Sequence, residues 1–172
     1  MLRIGRSIWR GQVLRPDLKG VRPTPSRVRE ALLNIINAKL PGAVVWDLFS
    51  GSGAFGISCV SCGAEKVCFV DKSILNLRKI HNFFDERNVS EKCSVLKGSL
   101  PACLNRIGTK PDIVFLDPPY VEKEIYLWIK RENWKNLLNS DGLVIVESGG
   151  EVFDEPWKVR KYGDTTISIL EV

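Results

Sequence analysis

Mostly apolar runs of five or six residues recur along this chain at 43–48, 66–71, 93–97, 112–117 and 142–147. Their length and β-branched content predict short strands, and a run such as Ile113-Val114-Phe115-Leu116 suits a strand buried on both faces of a parallel sheet. Between the runs lie stretches with helical spacing, near 53–62, 74–88, 99–107 and 123–139. In the second of these, Ile74, Leu77, Ile80 and Phe84 fall on one face with charges opposite. An earlier helix is predicted to open at Thr24-Pro25, where Thr caps and Pro is tolerated at the first helical position. Val28, Leu32, Ile35 and Ile36 form its apolar stripe, and it runs to about Lys39 before Pro41-Gly42 ends it.

Strands alternating with helices imply an α/β domain whose parallel sheet is covered on both faces. The end of the chain breaks the alternation. Trp157 to Tyr162 and Thr165 to Leu170 flank Gly163-Asp164 with no room for a helix, so they predict a hairpin whose last strand runs antiparallel to its neighbour. Residues 2–14 read as another hairpin, with Gly5-Arg6-Ser7 near its turn, and Pro16 to Pro23 as a loop. At 172 residues the chain is long enough for one domain with a proper core. The expected organisation is a basic N-terminal hairpin or extension over 1–22 and a main domain over 23–172.

Composition changes this picture little. Hydrophobic content of 44% and charged content of 26% are ordinary for a soluble globular protein. No apolar run approaches a membrane span, and the first residues carry arginines but no apolar signal core, so a cytoplasmic protein with no membrane partner is expected. The five cysteines are odd in number, which argues against a disulfide framework. Cys59 and Cys62 form a C-x-x-C, but His81 is the only histidine and no second C-x-x-C follows. Buried small side chains are the better reading, and no metal is expected.

Charge changes it more. The net charge of +5 is concentrated at the start. Residues 1–30 hold eight basic side chains (Arg3, Arg6, Arg10, Arg15, Lys19, Arg22, Arg27 and Arg29) against Asp17 and Glu30, while the other 142 residues sum to −1. Seven of the eight are arginine, which suits phosphate and base-edge contacts, so a polyanion, nucleic acid above all, is the expected partner.

Two motifs carry the chemistry. The first is Val44 to Gly56, a strand followed by a glycine turn and a helix. Gly51-Ser52-Gly53-Ala54-Phe55-Gly56 matches the dinucleotide fingerprint G-x-G-x-x-G, and Asp71 follows about twenty residues later, where a ribose-binding acid belongs. Taken alone, this points to NAD. Asp47, just before the turn, favours S-adenosylmethionine instead: a carboxylate there repels a pyrophosphate but suits an ammonium and a sulfonium. The second motif is Asp117-Pro118-Pro119-Tyr120, at the end of the fourth apolar run. It presents a carboxylate, carbonyls stiffened by proline and an aromatic face. An exocyclic amino group on a flat base fits that set: its lone pair is delocalised into the ring, and acceptors for its two hydrogens localise the pair toward an incoming methyl group.

Asp117-Pro118-Pro119-Tyr120 after an Asp47…Gly51-Ser52-Gly53 loop resembles class I S-adenosylmethionine-dependent methyltransferases acting on amino groups. Arg22-Pro23-Thr24, then Arg27-Val28-Arg29-Glu30-Ala31-Leu32, together with Asp47 to Gly53, resembles the RsmD family more closely. That resemblance implies a Rossmann-like, seven-stranded, mostly parallel sheet and methylation of a guanine N2 in small-subunit (16S) ribosomal RNA, free or in an assembling subunit. It implies that Asp47, Phe49, Ser50, Gly51, Ser52 and Gly53 shape the methionine end of the cofactor pocket and that Asp71, with Lys72, lies at the ribose. Ser99, where many relatives carry Asp or Asn, lies with Leu100 at the adenine. It also implies that Asp117, Pro118 and Pro119 orient the amine, that Tyr120 stacks on the base, and that Arg3, Arg6, Arg10, Arg22, Arg27 and Arg29 hold RNA. The product is S-adenosylhomocysteine, and a monomer is expected. An adenine-N6 methyltransferase, a nicotinamide oxidoreductase and a non-catalytic RNA-binding assembly module remain as alternatives at this point.

Overall fold

The computed structural model describes residues 2–3, 13–14, 26–151 and 153–172. Two short strands, β1 (Leu2–Arg3) and β2 (Val13–Leu14), pair antiparallel, which matches the ends of the expected hairpin. The Thr24-Pro25 cap and Arg6, Arg10 and Arg22 lie outside the described residues. The elements that follow are α1 (Ser26–Ile36), β3 (Val44–Leu48), α2 (Ala54–Ser61), β4 (Lys66–Asp71), α3 (Ile74–Asp85), β5 (Cys93–Lys97), β6 (Ile113–Leu116), α4 (Lys123–Arg131), α5 (Trp134–Leu137), β7 (Leu143–Ser148), β8 (Lys158–Tyr162) and β9 (Thr165–Glu171).

Seven strands form one sheet in the order β5-β4-β3-β6-β7-β9-β8. The first five are parallel, and β9 runs antiparallel to both β7 and β8. Side chains of the central strands alternate between two apolar layers, as the period of two requires. Val45, Phe69, Phe115 and Ile145 pack with α1, α2 and α3, while Trp46, Leu48, Val70, Leu116 and Val146 pack with α4 and α5. Successive parallel strands run outward from β3 on one side and from β6 on the other. The carboxyl ends of β3 and β6 are therefore the switch point where open α/β sheets bind ligands.

Three predicted helices differ from expectation. Leu100, Cys103 and Leu104 are buried, but 99–107 makes only a turn of 3-10 helix at Leu104–Arg106. Between Pro101 and Gly108 there are too few residues for i→i−4 bonds to repay nucleation. The stretch 123–139 breaks after Arg131. The indole of Trp134 donates to Ile129 O at 2.9 Å, taking the acceptor that the amide of residue 133 would use in a continuous helix, and that amide turns instead to Glu132 Oε1 at 3.0 Å. Ile74, expected on the apolar face of α3, is exposed at its start, and Phe83 joins Leu77, Ile80 and Phe84 in the core.

Candidate active site

β3 delivers the glycine turn. Asp47 lies between Trp46 and Leu48, which face the α4 layer, so its side chain points toward α2. It is 1% exposed, and its Oδ2 accepts the Gly56 amide at 2.9 Å. Burial pushes its carboxyl up to about 8; the Gly56 hydrogen bond opposes this and the charge of Asp71 adds to it. The chain then leaves the sheet through Phe49 (φ 65°), Gly51 (φ 51°) and Gly53 (φ 72°), all in the left-handed region that L side chains rarely adopt. The turn is pinned to β4: the Ser50 amide and hydroxyl both donate to Val70 O, at 2.9 and 3.2 Å. Gly53 must also lack a side chain, because a Cβ there would lie 2.7 Å from Ile80 Cγ1.

Asp71, at the end of β4, reaches back over this turn. Its Oδ2 accepts the Gly51 amide at 2.8 Å and its Oδ1 the Ser73 amide at 2.7 Å. Each carboxylate oxygen has a second lone pair, so both remain able to accept from a hydroxyl. Lys72 is exposed, with its Nζ 3.6 Å from Glu122 Oε1, an ion pair between the loops after β4 and β6. Ser52 is half-buried, with its Oγ 3.4 Å from the Ala54 amide. Ser99 is exposed beyond β5, and Leu100 is buried in the α4-side core.

β6 delivers the second motif beside the first. Leu48 and Leu116 are register partners, and the Asp117 amide reaches Leu48 O at 3.4 Å, so Asp117 follows directly beside the glycine turn. Pro118 is buried, while Pro119 and Tyr120 are exposed. Pro119 O, the carbonyl expected to help orient an amine, closes a turn by accepting the Glu122 amide at 3.0 Å. That bond leaves it one acceptor position. Beneath the loop lies Tyr126 of α4, a residue the sequence reading did not single out. It is buried, its hydroxyl donates to Pro118 O at 3.5 Å, and burial raises its pKa, helped by the charges of Asp117, Tyr120, Glu151 and Glu147. Its helical spacing marked only an apolar face, so no local signal revealed this role.

The arginines expected to hold RNA separate. Arg3 lies in β1. Arg27 is exposed near the start of α1. Arg29 corrects the expectation: it is 1% exposed and turned into the protein, so it presents no surface to a polyanion. Burial lowers its pKa, and the carboxylates of Glu30 and Glu147 oppose that, holding it charged. Glu147, 2% exposed near the end of β7, is the buried acid whose charge acts on Arg29, and no sequence pattern announced it. Among the cysteines, Cys59 is buried and Cys62 half-buried, as small packing side chains. Among the described residues no three His, Cys, Asp or Glu side chains group to hold a metal, and no helix is long and apolar enough to cross a membrane.

A parallel sheet with an antiparallel hairpin strand, an acid-flanked glycine turn after β3 and an Asp-Pro-Pro-Tyr loop after the neighbouring strand define a class I methyltransferase fold. The solved structure of yhhF from Escherichia coli superimposes on it with a TM-score of 0.79 and 27% identity, over 99% of this chain and 97% of that one. SMU.776, solved in complex with SAH, shares the fold at a TM-score of 0.66 and 16% identity, over 89% of this chain and 50% of that one. The chain belongs to the RsmD family: the family model described as Conserved hypothetical protein 95 matches residues 2–171. It is 34% identical over 179 aligned positions, 96% of this chain and 90% of the relative, to the Ribosomal RNA small subunit methyltransferase D of Haemophilus influenzae.

Proposed function

We propose that this chain transfers a methyl group from S-adenosylmethionine to the exocyclic N2 of a guanine in small-subunit ribosomal RNA, in the cytoplasm. The observation that carries the reading is the adjacency of the two loops at the switch point. The acid-flanked glycine turn and the Asp117 loop leave neighbouring strands side by side, joined by the Asp117 amide and Leu48 O. The donor set suits the cofactor. Gly51 and Gly53 clear the turn of side chains, Asp47 lies where a positive charge is favoured, and Asp71 keeps acceptor positions for ribose hydroxyls. A pyrophosphate in the same place would hold Asp47 protonated and gain nothing from it, whereas a cation favours its ionised form, which speaks against a nicotinamide cofactor.

When bound, S-adenosylmethionine supplies a methyl group activated by its sulfonium. The residues of this chain do the rest by position. Asp117 accepts a hydrogen of the target amine, a loop carbonyl accepts the other, and Tyr120 stacks on the base. Together they hold the nitrogen lone pair in line with the methyl group, so positioning and electrostatics supply most of the rate. The base must leave its stack to reach this loop. The family membership and the basic head both support ribosomal RNA as the substrate.

The test is methyl transfer from labelled S-adenosylmethionine to ribosomal RNA and to small subunits from a strain lacking this protein, with nucleoside analysis of the product. N2-methylguanosine is the expected product. Asp117→Ala should abolish transfer and leave cofactor affinity within about twofold, since the acid contacts the amine and not the cofactor. N6-methyladenosine would move the target base, and near-normal turnover by Asp117→Ala would overturn the mechanism.

A further inference from the structure

We propose that Gly149 is a positioning residue for the reaction: it is the seat that fixes the ring of Tyr120, and with it the plane on which the target base stacks. The proposal rests on the stacking role given to Tyr120 above. Gly149 is the first residue after β7, and Tyr120 lies in the loop that follows the neighbouring β6. The ring lies across the Gly149 α-carbon. A Cβ built there would come within 2.8 Å of Tyr120 Cε2 and 3.1 Å of Cγ, and closer still to Cδ2. A side chain at 149 would push the ring off this seat.

The backbone does not account for a glycine at this position. Gly150, with φ 114°, sits where L residues are strained, but Gly149 is not among the positive-φ residues. Its φ therefore makes no demand for glycine, and the three atoms that a Cβ there would meet most closely all belong to the Tyr120 ring. Both sides of the contact are held. On one side, the turn from Pro119 O to the Glu122 amide and the two prolines fix the chain that carries Tyr120. On the other, the Ser148 hydroxyl donates to Glu151 O at 3.2 Å across Gly149-Gly150, and Glu151 is tied to Lys130 of α4 at 2.8 Å. Tyr120 is 39% exposed, so the ring is also what an incoming base meets. With its near side closed by Gly149, the base is left the side turned away from β7.

The experiment is a double-mutant cycle on the full chain, with kcat/KM for methyl transfer to small-subunit ribosomal RNA and the dissociation constant for S-adenosylmethionine measured for each variant. Gly149→Ala should keep the fold and cofactor affinity, because the site is exposed and its φ lies outside the left-handed region, and should lower kcat/KM by about tenfold or more, the scale on which a misplacement near 1 Å acts. In a Tyr120→Ala background the same substitution should change kcat/KM by less than about twofold, since neighbours that act through one another are not additive. Wild-type kcat/KM for Gly149→Ala, or an equal loss in both backgrounds, would overturn the assignment of Gly149 alone. Wild-type kcat/KM for Tyr120→Ala would overturn the stacking reading and the proposal with it.

Discussion

Asp47 carries an acid–base signature that can be read without substrate. With its carboxyl raised to about 8, the folded protein holds a proton through a range in which the unfolded chain has released it. From about pH 4 to about pH 8 the native state thus binds more protons than the unfolded one, and Asp47's contribution to stability falls as pH rises through that window. A cation in the cleft favours the ionised form, so cofactor binding should expel this proton. Between pH 5.5 and 7, below the range in which an α-amino group titrates, affinity for S-adenosylmethionine should rise by up to about tenfold per pH unit. Asp47→Asn should flatten the slope. Calorimetry in buffers of different ionisation enthalpy checks it directly; equal proton release by wild type and Asp47→Asn would contradict it. The residues of the two motifs were legible because each motif is contiguous in the chain. Tyr126, Glu147 and Gly149 were not, since each lies on a different element from the residue it acts on or touches, and helical or strand spacing marks them only as interior or turn positions.

α2 packs close against β4, and the missing side chain of Gly56 is what allows it. Every residue of α2 is buried. A Cβ at Gly56 would lie 2.8 Å from Val67 Cγ1 and from Phe69 Cζ, and closer still to Phe69 Cε1. The same residue donates its amide to Asp47, so α2 cannot lift off β4 without pulling on the site. Gly56→Ala should therefore destabilise the fold by about 1–3 kcal/mol, the usual cost of overpacking, and also weaken cofactor binding. A shift of the urea midpoint with an unchanged slope would report the first effect, and titration with S-adenosylmethionine the second. An unmoved midpoint would mean that Phe69 relaxes freely. At this scale the strands were read within a residue or two, because apolar runs bounded by glycine and proline carry their own limits. The helices were read less well. The break after Arg131 depends on where one indole hydrogen goes, and hydrophobic spacing is blind to that competition.

The molecule as a whole is asymmetric in charge, with its positive excess in the first thirty residues and the edge that carries the candidate site built from acids. Strand–helix alternation and the closing hairpin were visible locally, whereas the strand order that sets Asp117 beside the glycine turn is non-local and came only through the family resemblance. The same holds for the arginines: counting them located a basic head but could not tell surface from interior. Arg27 and Arg29, two residues apart on α1, now separate the two roles. If the head holds RNA through phosphates, the logarithm of affinity should fall linearly with the logarithm of salt concentration, as bound counterions are released. Arg27→Ala, at an exposed position, should reduce that slope by about one and leave the melting temperature in place. Arg29→Ala should leave the slope unchanged and instead lower stability by on the order of 3 kcal/mol, because it removes a buried positive charge beside Glu147. Fluorescence anisotropy over a salt series and denaturant unfolding of both variants decide it. Affinity insensitive to salt would remove the head from RNA binding. A slope change in a stable Arg29→Ala would show that the guanidinium turns outward to meet RNA.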